Sequence, residues 1–512
     1  MLWNRKIDWF SSQLDNNISL MQSGDYSSIP WIFCVFAENH MPSKTVAAKA
    51  LCAVLGSLTF DELILIDRQM RQTTSIEWGI NWRNYSINSF FTPDMDEDER
   101  RAVIVFASFN PNGFIREQAM RMMKDCAGTL PFVILRQNDW VLQVRNAAEK
   151  IAEHRLSHLS PGELIAALPF VDILSRSKRV SRKSIYTDII HSTLTSHENE
   201  SDLAAGLDAA NIRSRRICTN ALFNMKSPRY DLAFSRLKKE TDPFLRAFIF
   251  SQLVGAGQNM DSVIESFLQD KYPHNRIKAF QYICEHDQNR ALQISHDLLL
   301  DKNAAVRDTV RFFLKSECAD FDFDTFYKKH LTTHTVPAIY GLSETGNTEY
   351  MAVIEGYLHV TQTSVVRAAM TAIMRLSCNK YDAAITEFLM DDRVGIVKAA
   401  RNLILKTASP NYARVMEIFK ATPYENTKRK CFSILLTASK WPRLIFILDI
   451  LENGGEGITD YAIAALERWI DIYNRSYAVA SKAQTELIFD NIKRLGDTLP
   501  ESLRNKLLFL LR

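Results

Sequence analysis

Two histidine pairs, one aromatic cluster and one block of cations are the features of this chain that suggest chemistry. His154 and His158 stand four apart on one helical face beside Glu153, and His330 and His334 repeat the spacing. Two imidazoles so placed supply half of a zinc site, which still needs a third ligand and a placed base. Neither pair stands in a His-Glu-x-x-His string, so both read as surface histidines and no metal is expected. The sequence holds no Gly loop followed by Lys-Ser/Thr, no Gly-x-Ser-x-Gly elbow and no Gly-x-Gly-x-x-Gly run. Nucleotide, acyl-transfer and dinucleotide chemistry therefore have no local signature, and no cofactor or small-molecule substrate is evident. The chain reads as a non-enzyme.

The aromatic cluster lies in Thr73–Met95, where helical spacing is poor and Trp78, Trp82, Tyr85, Phe90 and Phe91 crowd around Arg83. Trp, Tyr and Arg carry a large share of interface energy, so these six are candidate partner-binding residues. The competing expectation is a loop folded back over the first helices as a local core. The block of cations runs from Arg393 to Arg443: eleven Lys or Arg against Glu417 and Glu425. Arg393, Lys398, Arg401, Lys428, Arg429 and Lys430 would be the residues of a nucleic-acid or acidic-protein surface. A weaker concentration includes Arg176, Lys178, Arg179, Arg182 and Lys183, then Arg213, Arg215 and Arg216. The bland expectation for all of these is a solvated face, with some members used inside the fold.

The elements that position these residues show themselves by repetition. A basic residue returns about every 31 positions: Arg116, Arg145, Arg182, Arg213, Arg246, Arg276, Arg307, Arg367, Lys398 and Arg429, with a degenerate unit around Pro337. The residue before it is usually aliphatic, and the third and seventh after it are usually apolar, as in Ile115, Ala119 and Met123. Positions four apart share one helical stripe, whereas a strand would scatter them over both faces. Six places before the beat an acid is common (Asp139, Glu240, Asp270, Asp301, Asp392), able to cap the helix or to reach a neighbouring unit's cation. Asp139, Arg145, Asp301, Arg307, Asp392 and Lys398 are the expected members of such a ladder. An apolar helix opens each unit, which makes one unit helix, turn, helix.

An Asp followed six residues later by Val-Arg at the start of the second helix resembles the HEAT-repeat family. The best matches are Asp139 with Val144-Arg145, Asp301 with Val306-Arg307 and Asp392 with Val397-Lys398. The short period is similar to compact HEAT-like, phycobilisome-lyase-type repeats. The resemblance covers roughly residues 100–440; units at Arg182, Pro337 and Arg429 depart from it. It implies an armadillo-type α-solenoid whose second helices line a concave side, and a binding or scaffold role. DNA glycosylases and chromophore lyases built from related repeats are the enzymatic alternatives.

The expected fold is therefore all-α, a solenoid of about thirteen two-helix repeats. It has a helical region 1–96 carrying the aromatic loop, repeats over 97–440 and a helical cap over 441–512. Only 17 Gly and 15 Pro among 512 residues suit an ordered helical chain, and the balance of 62 basic to 59 acidic residues names no partner. No apolar run reaches the ~18 residues of a membrane span. Eight scattered cysteines suggest reduced thiols in a cytoplasmic protein. The leading functional expectation is a scaffold or adaptor that binds a protein partner in a multi-component assembly; a nucleic-acid-binding subunit is the alternative.

Overall fold

The computed structural model describes residues 9–73, 79–156, 161–177, 179, 192–196, 200–377 and 380–511. Every regular element among them is a helix. The chain divides into two compact units, residues 1–265 and 266–512, so segments 1–96 and 441–512 fall inside different units. The first unit contains α1 (Leu14–Gln22), α2 (Ile29–Cys34), α3 (Met41–Leu55), α4 (Phe60–Gln72), α5 (Glu97–Ala107), α6 (Gly113–Met122), α7 (Leu130–Arg136), α8 (Leu142–Leu156), α9 (Pro161–Arg176), α10 (Glu200–Leu207), α11 (Ile212–Phe223), α12 (Tyr230–Lys239) and α13 (Pro243–Gly255). The second contains α14 (Pro273–His286), α15 (Gln288–Leu298), α16 (Ala304–Glu317), α17 (Phe323–Lys329), α18 (Thr335–Thr345), α19 (Met351–Glu355), α20 (Thr363–Ser377), α21 (Asp382–Glu387), α22 (Val394–Ile404), α23 (Tyr412–Ala421), α24 (Glu425–Leu435), α25 (Lys440–Asn453), α26 (Glu456–Asp471), α27 (Lys482–Leu495) and α28 (Glu501–Leu510).

Helices pair with their sequence neighbours, and the second helix of one pair packs on the second helix of the next: α6 on α8 in the first unit, α18, α20, α22 and α24 in file in the second. This is the α-solenoid arrangement, in which each pair hides its apolar seam against the pairs beside it. The stripe that predicts the second helices is the buried one. Ile115, Ala119 and Met123 of the α6 segment, like Val306, Val310 and Leu314 of α16, are at most 2% exposed.

The basic beat has a structural reason. In α6, α8, α11, α13, α14 and α16 the fourth helical residue is an arginine: Arg116, Arg145, Arg215, Arg246, Arg276 and Arg307. Its Nη1 turns back to donate to the carbonyl six residues earlier, at 2.8 Å on Asn110, 2.7 Å on Asp139, 2.9 Å on Ala209, 3.1 Å on Glu240 and 2.6 Å on Asp270. Arg307 makes the same bond to Asp301. In Arg116, Arg215, Arg276 and Arg307 the rest of the guanidinium grips a carboxylate in the next pair. Arg116 donates to both oxygens of Asp139 at 2.9 and 2.8 Å, Arg215 to both of Glu240 at 3.0 and 3.1 Å, and Arg276 to both of Asp301 at 2.7 and 2.6 Å. Each of those carboxylates also accepts from the backbone N–H two residues on, at Val141, Asp242 and Asn303, and so fixes its own turn. A planar five-donor cation suits this double duty in a way a lysine does not.

Arg213 is not a member: it is the second residue of α11, and Arg215 takes the position. In α20 and α22 the helix starts one residue earlier relative to the beat. The buried fourth residue is then Val366 or Val397, and Arg367 and Lys398 fall fifth, about 100° further round the helix, where both are exposed. Asp392, like Lys398 an expected member of the ladder, also points to solvent, 84% exposed. Arg393 fills the gap from the following pair. It holds Asp391 by a two-pronged bond at 2.9 and 2.8 Å and donates to the carbonyls of Val360 and Thr361 at 3.0 and 2.9 Å. Those carbonyls lie six and five residues before Val366, where an arginine at that position would have reached.

Candidate partner-binding surfaces

The aromatic segment is largely a local core. Trp82 and Phe90 are 1% and 0% exposed and pack on Phe33 with ring centroids 5.8 Å away in each case. Polar bonds stitch the segment down: buried Lys44 donates to the Ser89 carbonyl at 2.7 Å, and the Ile87 N–H donates to Gln118 at 3.1 Å. Phe91 is half-buried under Arg100, and Tyr85 leans on Trp82. Arg83 alone of the described candidates is exposed, lying over Phe114 at 5.5 Å. Trp78 lies outside the described residues.

That stacking leads to a feature the sequence reading missed. Phe114, Trp140, Leu142, Phe244, Val394 and Tyr424 all sit within the turns that open second helices, and each is more than half exposed. The turn is where a chain can present an apolar side chain without burying it, because the seam lies further along the helix. No fixed spacing marks them, and only the fold shows which apolar residues of these turns stay exposed.

The basic block divides into cations the fold uses and cations it leaves outside. Arg393 is spent on backbone carbonyls as described. Arg401 donates to Ser433 Oγ at 2.9 Å, and Lys428 donates to the Gly454 carbonyl at 3.2 Å while lying over Phe419. Arg429 pairs with Glu425 and stacks on Tyr461 at 4.4 Å, donating to its hydroxyl at 2.9 Å. Lys398 is exposed and Lys430 half-exposed. Of the weaker concentration, Lys178, Arg182 and Lys183 lie outside the described residues. Arg213 lies over Phe60 at 4.6 Å and reaches Asp61 at 3.2 Å, joining α11 to α4 across 152 residues. Near that junction a cleft of about 670 Å³ is walled by Leu58, Phe60, Phe132 and Phe170, with Arg101 and Cys52 also lining it. Sequence order gave no hint of it, because the first unit brings together helices far apart in the chain.

Electrostatics follow the ladder. Burial pushes the Asp139 carboxyl up, but the Arg116 bond and the nearby Arg136 outweigh it and hold the group below the usual range. Glu240, against Arg215 and Arg236, and Glu344, against Arg307 and Arg311, are lowered on the same balance. Burial pushes the Cys218 and Cys431 thiols up to about 12, so neither is a nucleophile in the folded chain. The free cysteines described (Cys34, Cys52, Cys126, Cys218, Cys284, Cys318 and Cys431) form no disulfide, and Cys378 lies outside the described residues.

His158 likewise lies outside them, and His330 faces the Phe326 carbonyl at 2.8 Å and the Phe326 ring. Among the described residues no cluster of three His, Cys, Asp or Glu could hold a metal, and no helix is long and apolar enough to cross a membrane.

No family model and no curated protein matches the chain. Among solved structures it is similar to a crystal structure of importin beta in an ammonium sulfate condition, at 11% identity and a TM-score of 0.29, over 94% of this chain and 74% of that one.

Proposed function

We propose that this chain is a non-catalytic scaffold or adaptor, built of short HEAT-like repeats, that holds a protein partner along its helical stack within a multi-component cytoplasmic assembly. The observation that carries the reading is the recurrence of exposed Phe114, Trp140, Leu142, Phe244, Val394 and Tyr424 on the turns opening second helices. Large apolar residues left exposed at the openings of several second helices in each unit suit surfaces that another protein covers, and aromatic anchors of this kind dominate interface energy. The buried ion pairs of the ladder support the same reading, since their charges serve the stack and are not free for catalysis. The test is tagged purification from the native host, comparing wild type with a Phe114→Asp/Trp140→Asp variant. A stoichiometric companion protein should co-purify with wild type and be lost or depleted at least tenfold with the variant, whose unfolding midpoint should stay unchanged. Recovery of the wild-type chain alone, or a companion insensitive to the turn residues, refutes it.

A further inference from the structure

In the second unit charge separates between the two layers of helices. The second helices α20, α22 and α24 carry seven cations (Arg367, Arg375, Lys398, Arg401, Lys428, Arg429 and Lys430) against Glu425 alone. Their first-helix partners α19, α21 and α23 carry Glu355, Asp382, Glu387 and Glu417 against Arg414 and Lys420. The one-residue change of register described above is what puts this charge outside. Arg367, Lys398 and Arg429 are the fifth residues of three consecutive second helices, all exposed. The row ends on both sides. In α18 the fifth residue is buried Ile339, and in α26 it is Asp460.

We propose that this row is a docking site for an extended acidic segment of a partner protein; the inference rests on the scaffold reading and specifies the partner's chemistry. Packed helices lie 8–10 Å apart, so three cations at equivalent positions make steps of about 10 Å. An extended chain in the polyproline II conformation rises about 3.1 Å per residue with three residues per turn, so carboxylates at every third residue stay on one face and keep pace with that step. Glu425 does not block the row, because an exposed pair such as Arg429–Glu425 contributes little and exchanges readily for an incoming carboxylate. A nucleic acid fits less well. A single strand of duplex carries a phosphate every ~3.4 Å and would leave most of its charges without a partner on so sparse a row. Exposed Val394 and Tyr424 beside the cations also suit a polypeptide with apolar residues near its acids.

The experiment is fluorescence anisotropy of the full chain at 50 and 200 mM salt with three labelled probes. The first is a ten-residue peptide with Glu at every third position, the second its scrambled isomer with the acids clustered, the third a twelve-nucleotide single-stranded RNA. The spaced peptide should bind at low salt, weaken at least tenfold at high salt, and exceed both other probes. Lys398→Glu should weaken it at least tenfold, and a peptide with Lys in place of the central Glu should restore binding to that variant. Absence of spaced-peptide binding, indifference to Lys398→Glu, or tighter binding of the RNA overturns the inference, the last assigning the row to nucleic acid. The scaffold reading is tested apart from this. If the co-purifying protein is retained by Lys398→Glu and lost by Phe114→Asp/Trp140→Asp, the scaffold stands and the acidic-segment inference falls.

Discussion

Asp139 shows how one residue type at one position can be structural or incidental depending on what surrounds it. Its side chain is fully buried between Arg116 and Arg136, and it also accepts from the Val141 N–H at 2.9 Å. Asp392, at the equivalent place in the sequence pattern, stands in solvent. Removing one member of a buried pair leaves the other charge without compensation, which costs about 3–5 kcal/mol, whereas surface changes usually stay within about 0.5 kcal/mol. Asp139→Asn should therefore lower the urea midpoint of the first unit strongly and Asp392→Asn should not move either unit. Equal effects would remove the ladder from the account of stability. The pH dependence has a definite sign. Asp139, Glu240 and Glu344 are all held below their ordinary values, so the folded chain binds fewer protons than the unfolded chain as the medium turns acid. Their stabilisation is complete above about pH 5 and is lost progressively as pH falls through the ordinary carboxylate range to the lowered folded values. Asp139→Asn should flatten the acid limb of that curve for the first unit.

At the scale of the helix pair, what was legible in the sequence was whatever depends on period alone. The stripe through Ile115, Ala119 and Met123 fixes a helix and its buried face, because burial of every fourth residue tolerates few substitutions. Register within the pair was not legible. Val366-Arg367 reads like Ile115-Arg116, yet the helix begins three residues before Arg116 and four before Arg367, and that single residue decides whether the cation faces inward or outward. No local residue announces the difference. The compensation comes from Arg393, a residue of the following pair. The aromatic segment was legible as irregular but not as core, since only the tertiary fold supplies Phe33 and Lys44 beneath it. Arg393→Ala should leave the Val360 and Thr361 carbonyls without their donor, at a cost of about 1–3 kcal/mol. Hydrogen exchange should speed up in 358–366 and 391–397 together. Faster exchange confined to 391–397 would mean that Arg393 serves its own turn only.

At the scale of the molecule, helix pairs that pack mainly on the pairs beside them, in two separate compact units, should keep damage near where it is done. Two buried thiols make this measurable. Cys218 lies on α11, the helix whose Arg215 clamps Glu240, in the first unit; Cys431 lies on α24 in the second. Burial pushes both thiols up to about 12, so at pH 8 an alkylating reagent reaches either one only through opening of its surroundings. Glu240→Ala strips the carboxylate from Arg215 and leaves Arg236 with Asp208 at 2.7 Å. If opening becomes easier by about 3 kcal/mol, Cys218 should be labelled on the order of 100 times faster, since each 1.36 kcal/mol is tenfold. Cys431 should keep its wild-type rate in the same tube. A parallel rise at Cys431 would mean that 1–265 and 266–512 open as one cooperative body, and the ladder would then be a device for global stability. A rise at Cys218 alone would make it a chain of local clamps, each holding only the pair before and the pair after.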